Sequence, residues 1–400
     1  MINLEAPKKA GALINQAYQA AAEVFRPISR KYDRAEHTYP SELDMFAALL
    51  DGLNSSGEGG AGAAGVRRSK DEKEKGNRNG ANLNVVLGTI EMCWGDVGLL
   101  LSMPRQGLGN AAIGSVATDE QLERFSGMWA AMAITEPSCG SDSAAITATA
   151  RLDGDHYVLN GEKIFVTSGE RADAVVVWAT LDKTKGRAAI KSFVVEKGTP
   201  GFEVVRVEHK LGIRASDTAV LRFENCRVPA ENLLGTPEID TAKGFAGVMQ
   251  TFDNTRPLVA AMAIGVARAA LEETRRILTE AGVVIDYDRP ANSQHAAAAE
   301  FLRLEADYES AYLLTLESAW MADNRKPNSL QASMAKAKAG RSVVEIALKC
   351  VELTGAYGEE SLLEKWARDA KILDIFEGTQ QIQQLIVARR VLGKSSAELK

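Results

Sequence analysis

The spacing of apolar residues changes period twice along this chain, and that change limits the folds open to it. Between residues 11 and 53, apolar side chains recur every three or four positions, at Ala21, Ala22, Val24, Phe25 and Ile28 and again at Leu43, Phe46, Leu49 and Leu50. The spacing returns between residues 83 and 126, through Val85-Val86-Leu87 and Leu99-Leu100-Leu101. It matches the helical repeat and predicts amphipathic helices. From Met128 the period falls to two. Strands are expected at Tyr157–Leu159, Ile164–Val166, Val175–Trp178, Ser192–Val195, Gly201–Val205 and Ala219–Phe223, with Asp153-Gly154 and Asn160-Gly161 as hairpin turns. From Gly244 helical spacing resumes in long runs: Leu258 to Leu271, Ala332 to Leu348 and Ile382 to Leu392. Pro257 is expected to kink the first of these.

Helices, then strands, then helices predict an α+β protein. Its parts are an N-terminal helical domain over residues 1–127, a middle, mainly antiparallel β-domain over 128–240, and a C-terminal helical bundle over 241–400. One stretch does not fit any packed element. Asn54 to Asn82 begins rich in Gly, Ala and Ser and continues as Arg67-Arg68-Ser69-Lys70-Asp71-Glu72-Lys73-Glu74-Lys75. It has too little apolar surface to offset the entropy of ordering, and a surface loop is expected there.

Composition narrows the function classes. A net charge of −6 with no basic domain argues against nucleic acid as a partner. Cys93, Cys139, Cys226 and Cys350 are far apart in sequence and form no Cys/His cluster, which argues against a zinc site or a disulfide framework. There is no signal peptide and no uninterrupted apolar run of membrane length, so a cytoplasmic protein is expected.

The segment Asp369-Ala370-Lys371-Ile372-Leu373-Asp374-Ile375-Phe376-Glu377-Gly378-Thr379-Gln380 carries the chemistry. Glu377 stands alone between an apolar run and a glycine. Desolvation there raises a carboxylate's pKa and makes it a better base. Gly378 allows close approach or a positive φ. Thr379 is the expected N-cap of a helix from Gln380 to Leu392. On these residues alone, an ordinary helix–loop–helix joint with a solvated Glu377 is an equally good reading.

Residues 368–383, Arg-Asp-Ala-Lys-Ile-x-x-Ile-Phe-Glu-Gly-Thr-x-Gln-Ile-Gln, closely resemble the C-terminal signature of acyl-CoA dehydrogenases, in their medium- and short-chain-like branch. Three more segments match that family in order: Ile134-Thr135-Glu136-Pro137-Ser138-Cys139-Gly140-Ser141-Asp142, then Leu211-Gly212-Ile213-Arg214-Ala215-Ser216-Asp217-Thr218, then Phe252-Asp253-Asn254-Thr255-Arg256-Pro257. The likeness covers nearly the whole chain and is weakest at 51–82 and 280–300.

The resemblance implies the same three-part architecture, with a C-terminal four-helix bundle. It implies dehydrogenation of an acyl-CoA thioester across its α–β bond, giving the trans-2-enoyl-CoA. Glu377 would remove the proton and FAD would accept the hydride. Met132, Ile134, Thr135, Gly140 and Ser141 would line the flavin, with Ser141 also near the acyl-CoA. Phe165 stands where family members usually carry Trp. It would cover the flavin ring, with Val166 and Thr167 beside it. Thr379 and Gln381 would complete the dinucleotide site. Asp253, Arg256 and Gly378 would contact the acyl-CoA, with Arg256 supplying positive charge near the base. From spacing alone, Asp253 and Arg256 could equally be an i,i+3 surface ion pair. The implied electron acceptor is an electron-transfer flavoprotein, and the implied assembly an oligomer, a dimer of dimers. An oxidase or monooxygenase on the same fold is the competing class. His37, His156, His209 and His295 read as isolated surface or core residues.

Two family motifs are altered. The usual Arg-x-x-Phe-Gly is absent near residue 280, where the chain reads Glu280-Ala281-Gly282-Val283-Val284. Glu352-Leu353-Thr354-Gly355-Ala356-Tyr357-Gly358 replaces the usual Gln-x-x-Gly-Gly-x-Gly. In the family both serve the neighbouring subunit's flavin. The alternative reading is therefore a flavin-poor or partner-dependent subunit of a heteromeric enzyme, completed by a homologous chain.

Overall fold

The computed structural model describes residues 10–55, 80–105, 107–239, 246–358 and 360–395, with Ile2, Leu4, Glu5, Glu398 and Leu399; for 49–55 and 246–254 it describes the backbone alone. Most of the loop expected between Asn54 and Asn82 lies outside the described residues. Its two ends are helical.

The N-terminal part is a set of helices: α1 (Ala10–Ala20), α2 (Arg26–Arg34), α3 (Glu42–Ser55), α4 (Ala81–Leu100), α5 (Leu108–Val116) and α6 (Asp119–Arg124). A π-helical turn at Ala21–Phe25 joins α1 to α2. It packs against Gly95 of α4, where an added Cβ would stand 2.8 Å from the Ala21 side chain and 2.9 Å from that of Phe25. Helix α4 is long and apolar enough to cross a membrane, but 83% of its apolar window is buried inside the protein.

Seven strands follow: β1 (Ala130–Ala133), β2 (Thr149–Asp153), β3 (His156–Thr167), β4 (Ala174–Thr180), β5 (Ile190–Glu196), β6 (Phe202–Val207) and β7 (Thr218–Pro229). The pairs β2–β3, β3–β7, β6–β7 and β4–β5 are antiparallel, whereas β1 runs parallel to β4. Asp153 pairs with His156 around a tight turn at Gly154, as expected. Asn160-Gly161 is not a turn. β3 runs straight through it, and the register against β7 jumps from Leu159↔Cys226 to Gly161↔Phe223. Gly161 is needed because Ala148 crowds it: a Cβ there would lie 2.6 Å from the Ala148 Cβ. A second irregularity, between Lys163↔Leu221 and Val166↔Ala219, places Ile164 and Phe165 in a bulge on β3.

The C-terminal part holds α7 (Ala246–Glu280), α8 (Ala296–Asp323), α9 (Ser329–Thr354), α10 (Leu363–Leu373) and α11 (Gln380–Leu392). α7 remains one helical element through Pro257. α9 packs against the other four. One apolar core runs from α4 into α7, α8, α9 and α10, so the two helical parts of the sequence share a single interior. Gly265 permits the α4–α7 crossing, since a Cβ there would lie 2.4 Å from the Ile90 carbonyl.

The helical parts and the sheet domain meet at a buried ion cluster. The Lys365 Nζ lies 2.7 Å from Asp96 Oδ2 and 2.6 Å from Asp369 Oδ2, with all three side chains 0–2% exposed. Ser29 of α2 donates to Asp96, and the Ile213 amide donates to Asp369. Alongside, Arg368 binds Asp33 at 2.6 Å and the Leu211 carbonyl at 2.9 Å. Leu211–Thr218 is thus a clasp that holds α2, α10 and the sheet together. Lys365→Met leaves two buried carboxylates without their cation and is expected to cost about 3–5 kcal/mol. Denaturant unfolding should show the loss shrinking as pH falls, because protonation removes the uncompensated charge.

Candidate active site

Helix α10 ends at Leu373 because the next residues leave the helical path, and α11 begins at Gln380. Glu377 and Gly378 between them both have positive φ, 57° and 93°. This left-handed conformation is costly for a glutamate, by about 1–2 kcal/mol. A Cβ on Gly378 would stand 2.4 Å from Gln383 Nε2, so only glycine fits. Three side chains over-determine the loop. Lys336 Nζ donates to the Gly378 carbonyl at 2.7 Å. Gln383 Nε2 donates to the carbonyls of Glu377 and Gly378 at 3.1 and 3.3 Å. The Thr379 hydroxyl accepts from the Ile382 amide, as expected of an N-cap.

Thr255 Oγ1 donates to Glu377 Oε2 at 2.9 Å. Burial raises the pKa of the Glu377 carboxyl. The Thr255 hydrogen bond and the charges of Arg256 and Lys336 oppose that rise without cancelling it. Arg256 is 3% exposed, a buried cation rather than a surface one, and its charge acts on Glu377. The side chain of Asp253 lies outside the described residues. Its backbone belongs to α7, one turn before Arg256.

The other expected residues gather on the sheet domain. Met132 lies in β1, and Ile134 to Ser141 form the loop that leaves it. The carboxylate of Glu136 organises this loop. It accepts from Lys163 Nζ at 2.8 Å, the Ala148 amide at 2.9 Å and the Thr147 amide and hydroxyl at 2.7 Å. Burial pushes its pKa up, but Lys163 and these amides outweigh burial and hold it below the usual carboxylate range. Lys163 also donates to the Ile134 carbonyl, and the Ile164 amide donates to that of Thr135 at 2.9 Å. The loop is thereby pinned beside the β3 bulge.

In that bulge Phe165 is 63% exposed with φ 58°. Thr135 and Thr167 are half-buried, and Gly140 and Ser141 are exposed. Val166 differs from expectation: its side chain is 1% exposed within the sheet core, so only its backbone can meet a ligand. Met132 and Ile134 pack on the buried Trp178. Thr379 spends its hydroxyl on capping, and Gln381 is exposed on the first turn of α11. The residues around the bulge fit a flavin. The exposed phenyl ring offers a flat apolar face on a strand whose other residues are buried or half-buried, with Thr167 two residues on and Thr135 bonded through its carbonyl to the neighbouring Ile164 amide. A Cβ on Gly140 would have nothing nearer than Thr135 Cγ2 at 3.6 Å, so the loop stands open to a ligand.

The expected isolation of the histidines fails for two of them. The rings of His37 and His209 lie 4.7 Å apart, because the residues leading into the Leu211–Thr218 clasp fold onto the end of α2, and His209 Nδ1 is 3.0 Å from Glu36. Thr255, Lys336, Gln383, Glu136 and Lys163 escaped the sequence reading. Lys336 did leave a signal: it shares helical spacing with Ala332, Ala339 and Val343, all of them buried.

Known proteins share this chain's sequence pattern and fold. Residues 242–392 match the model for the acyl-CoA dehydrogenase C-terminal domain, and residues 131–226 the model for the middle domain. A short-chain-specific acyl-CoA dehydrogenase of Clostridium acetobutylicum is 34% identical over 95% of this chain and 97% of that protein. Butyryl-CoA dehydrogenase from Megasphaera elsdenii superposes with a TM-score of 0.81 at 27% identity, over 98% of this chain and 100% of that one. A chain from a structure described as the electron transferring flavoprotein of Acidaminococcus fermentans gives a TM-score of 0.84 at 30% identity, over 98% and 100%. Matching two family domains and nearly the full length of such a relative, the chain belongs to the acyl-CoA dehydrogenase family of FAD-dependent oxidoreductases.

Proposed function

We propose that Glu377 is the base of an FAD-dependent acyl-CoA dehydrogenation, removing a proton from C2 of the thioester to give the trans-2-enoyl-CoA. The observation that supports this most directly is a carboxylate made more basic by burial, on a strained loop, hydrogen-bonded only weakly enough to stay basic. Bound FAD supplies the hydride acceptor for C3. The left-handed turn at Glu377–Gly378 aims the loop's backbone toward the ligand, where the Glu377 amide is the donor for the thioester carbonyl as negative charge builds on it. Arg256, Asp253 and Gly378 hold the acyl-CoA. Thr135, Ser141, Phe165, Thr167, Thr379, Gln381 and the Val166 backbone hold FAD. Similarity to the Acidaminococcus chain supports an electron-transferring flavoprotein as the acceptor, and we place the enzyme in the cytoplasm.

A second reading rests on the altered C-terminal end of α9. There Glu352 pairs with Lys349 at 2.7 Å rather than offering a neutral amide, and Gly355 alone takes the left-handed conformation. In that reading a homologous chain completes the FAD site across an interface. The protein purified alone decides between them. A yellow protein that bleaches on anaerobic addition of saturated acyl-CoA is self-sufficient, and a colourless one that colours only with a homologous partner is not.

Glu377→Gln keeps the shape of the base and removes its basicity. Turnover should be abolished while acyl-CoA still binds, as calorimetry would show. The same variant should be the more stable protein at neutral pH. The folded carboxyl binds its proton more tightly than in the unfolded chain, so wild-type stability falls as pH rises from the ordinary value of 4.5 through the raised folded pKa. Thermal melts should therefore separate the two proteins above that window and merge below it. Phe165→Ala removes the exposed ring and should weaken FAD binding by about tenfold, the worth of one aromatic contact, with circular dichroism unchanged.

A further inference from the structure

Lys336 is a buried charge that packing does not account for. It lies in the middle of α9 with 0% of its surface exposed. Among the described residues no carboxylate lies within ion-pair distance of its ammonium, and its hydrogen bond goes to the Gly378 carbonyl. Burying an ammonium without an ion-pair partner is unfavourable, and an apolar side chain of the same length would serve α9 better. The charge is therefore not there for stability. What it touches is the residue next to the base, in a loop whose conformation a glutamate resists.

We propose that Lys336 is the positioning residue for Glu377: by holding the Gly378 carbonyl it keeps the base in its left-handed conformation against Thr255, and it places a positive charge behind the carboxylate. This rests on Glu377 being the base. The groups facing Glu377 are Thr255 and Arg256 from α7 and Lys336 from α9, with Gln383 of α11 bonded to its carbonyl. Asp374, at the end of α10, faces Lys336 in turn and also lies 3.6 Å from Arg341 and 3.8 Å from Lys371. Burial lowers the Lys336 pKa to about 8, while Asp374 and Glu377 pull it back up. The ammonium is thus charged at neutral pH and loses its proton in mild alkali. Loop geometry and base strength then depend on one group, which separates this role from simple packing.

The test compares holoenzymes of wild type, Lys336→Met, Lys336→Gln and Glu377→Gln. The readouts are thermal unfolding, acyl-CoA affinity by calorimetry, kcat against pH, and infrared titration of the Glu377 carboxyl, whose band Glu377→Gln identifies by its loss. Lys336→Met should fold and bind acyl-CoA within about threefold of wild type, yet lose about 10²-fold in kcat through misplacement of the base. Its acid limb and the Glu377 infrared titration should both move to higher pH by about one unit, the effect of removing a nearby opposite charge. Lys336→Gln, a neutral donor, should recover part of kcat but keep the displaced titration. A Lys336→Met enzyme with wild-type kcat and titration overturns the proposal and leaves the base assignment standing. Failure of both Lys336 variants to fold overturns it in favour of a structural role. Turnover by Glu377→Gln overturns the base assignment, and this proposal with it.

Discussion

The ammonium of Lys365 is the point on which the rest of the architecture turns. Burying a lysine is costly unless opposite charge and hydrogen bonds compensate it, and here Asp96 and Asp369 do so from two different helices. Asp96 in turn interrupts α4 and caps the Leu99 amide at 2.8 Å, while Asp369 receives the Ile213 amide from the sheet domain. One cation thereby fixes the angle of α10 relative to α2, α4 and the clasp. The loop after α10 carries Glu377, so an error of packing at Lys365 would be transmitted to the base.

The same device recurs at the two chemical loops. Lys163 and Glu136 tie the loop after β1 to the bulge that carries Phe165, and Lys336 ties the Glu377 loop to α9. All three lysines are buried, and Lys163 and Lys365 are paired there with carboxylates. Buried pairs of this kind add little net stability against an apolar replacement, but they fix one geometry among several close ones. In the proposed site two loops from different parts of the fold meet one ligand in register, so specificity of geometry is what that function requires.

The change of hydrophobic period made the three-part order legible, because period reports only which face is buried. Thr379 and the α11 start were legible for a similar reason: N-capping is a local event between a hydroxyl and an amide three residues on. The contrast is Asn160-Gly161. The pair has hairpin chemistry, yet tertiary packing against Ala148 uses the glycine for closeness and leaves the strand running. The His37–His209 contact, the Glu136–Lys163 pair and the reach of Lys336 to Gly378 all join residues far apart in sequence. No local pattern encodes such partners. A lysine on an otherwise apolar helical stripe is as far as one sequence goes toward showing one.

The strength of the base follows from a balance that neither burial nor hydrogen bonding could set alone. Desolvation raises the pKa of the Glu377 carboxyl and makes it a stronger base, whereas full pairing with Arg256 would lower it and weaken the base. The structure lies between these limits. One neutral hydroxyl donates directly to the carboxylate, and two buried cations act through space. The left-handed φ at Glu377 is a local cost to stability, and the buried clusters around Lys365 and Lys163 hold the surrounding scaffold in the one geometry that bears it.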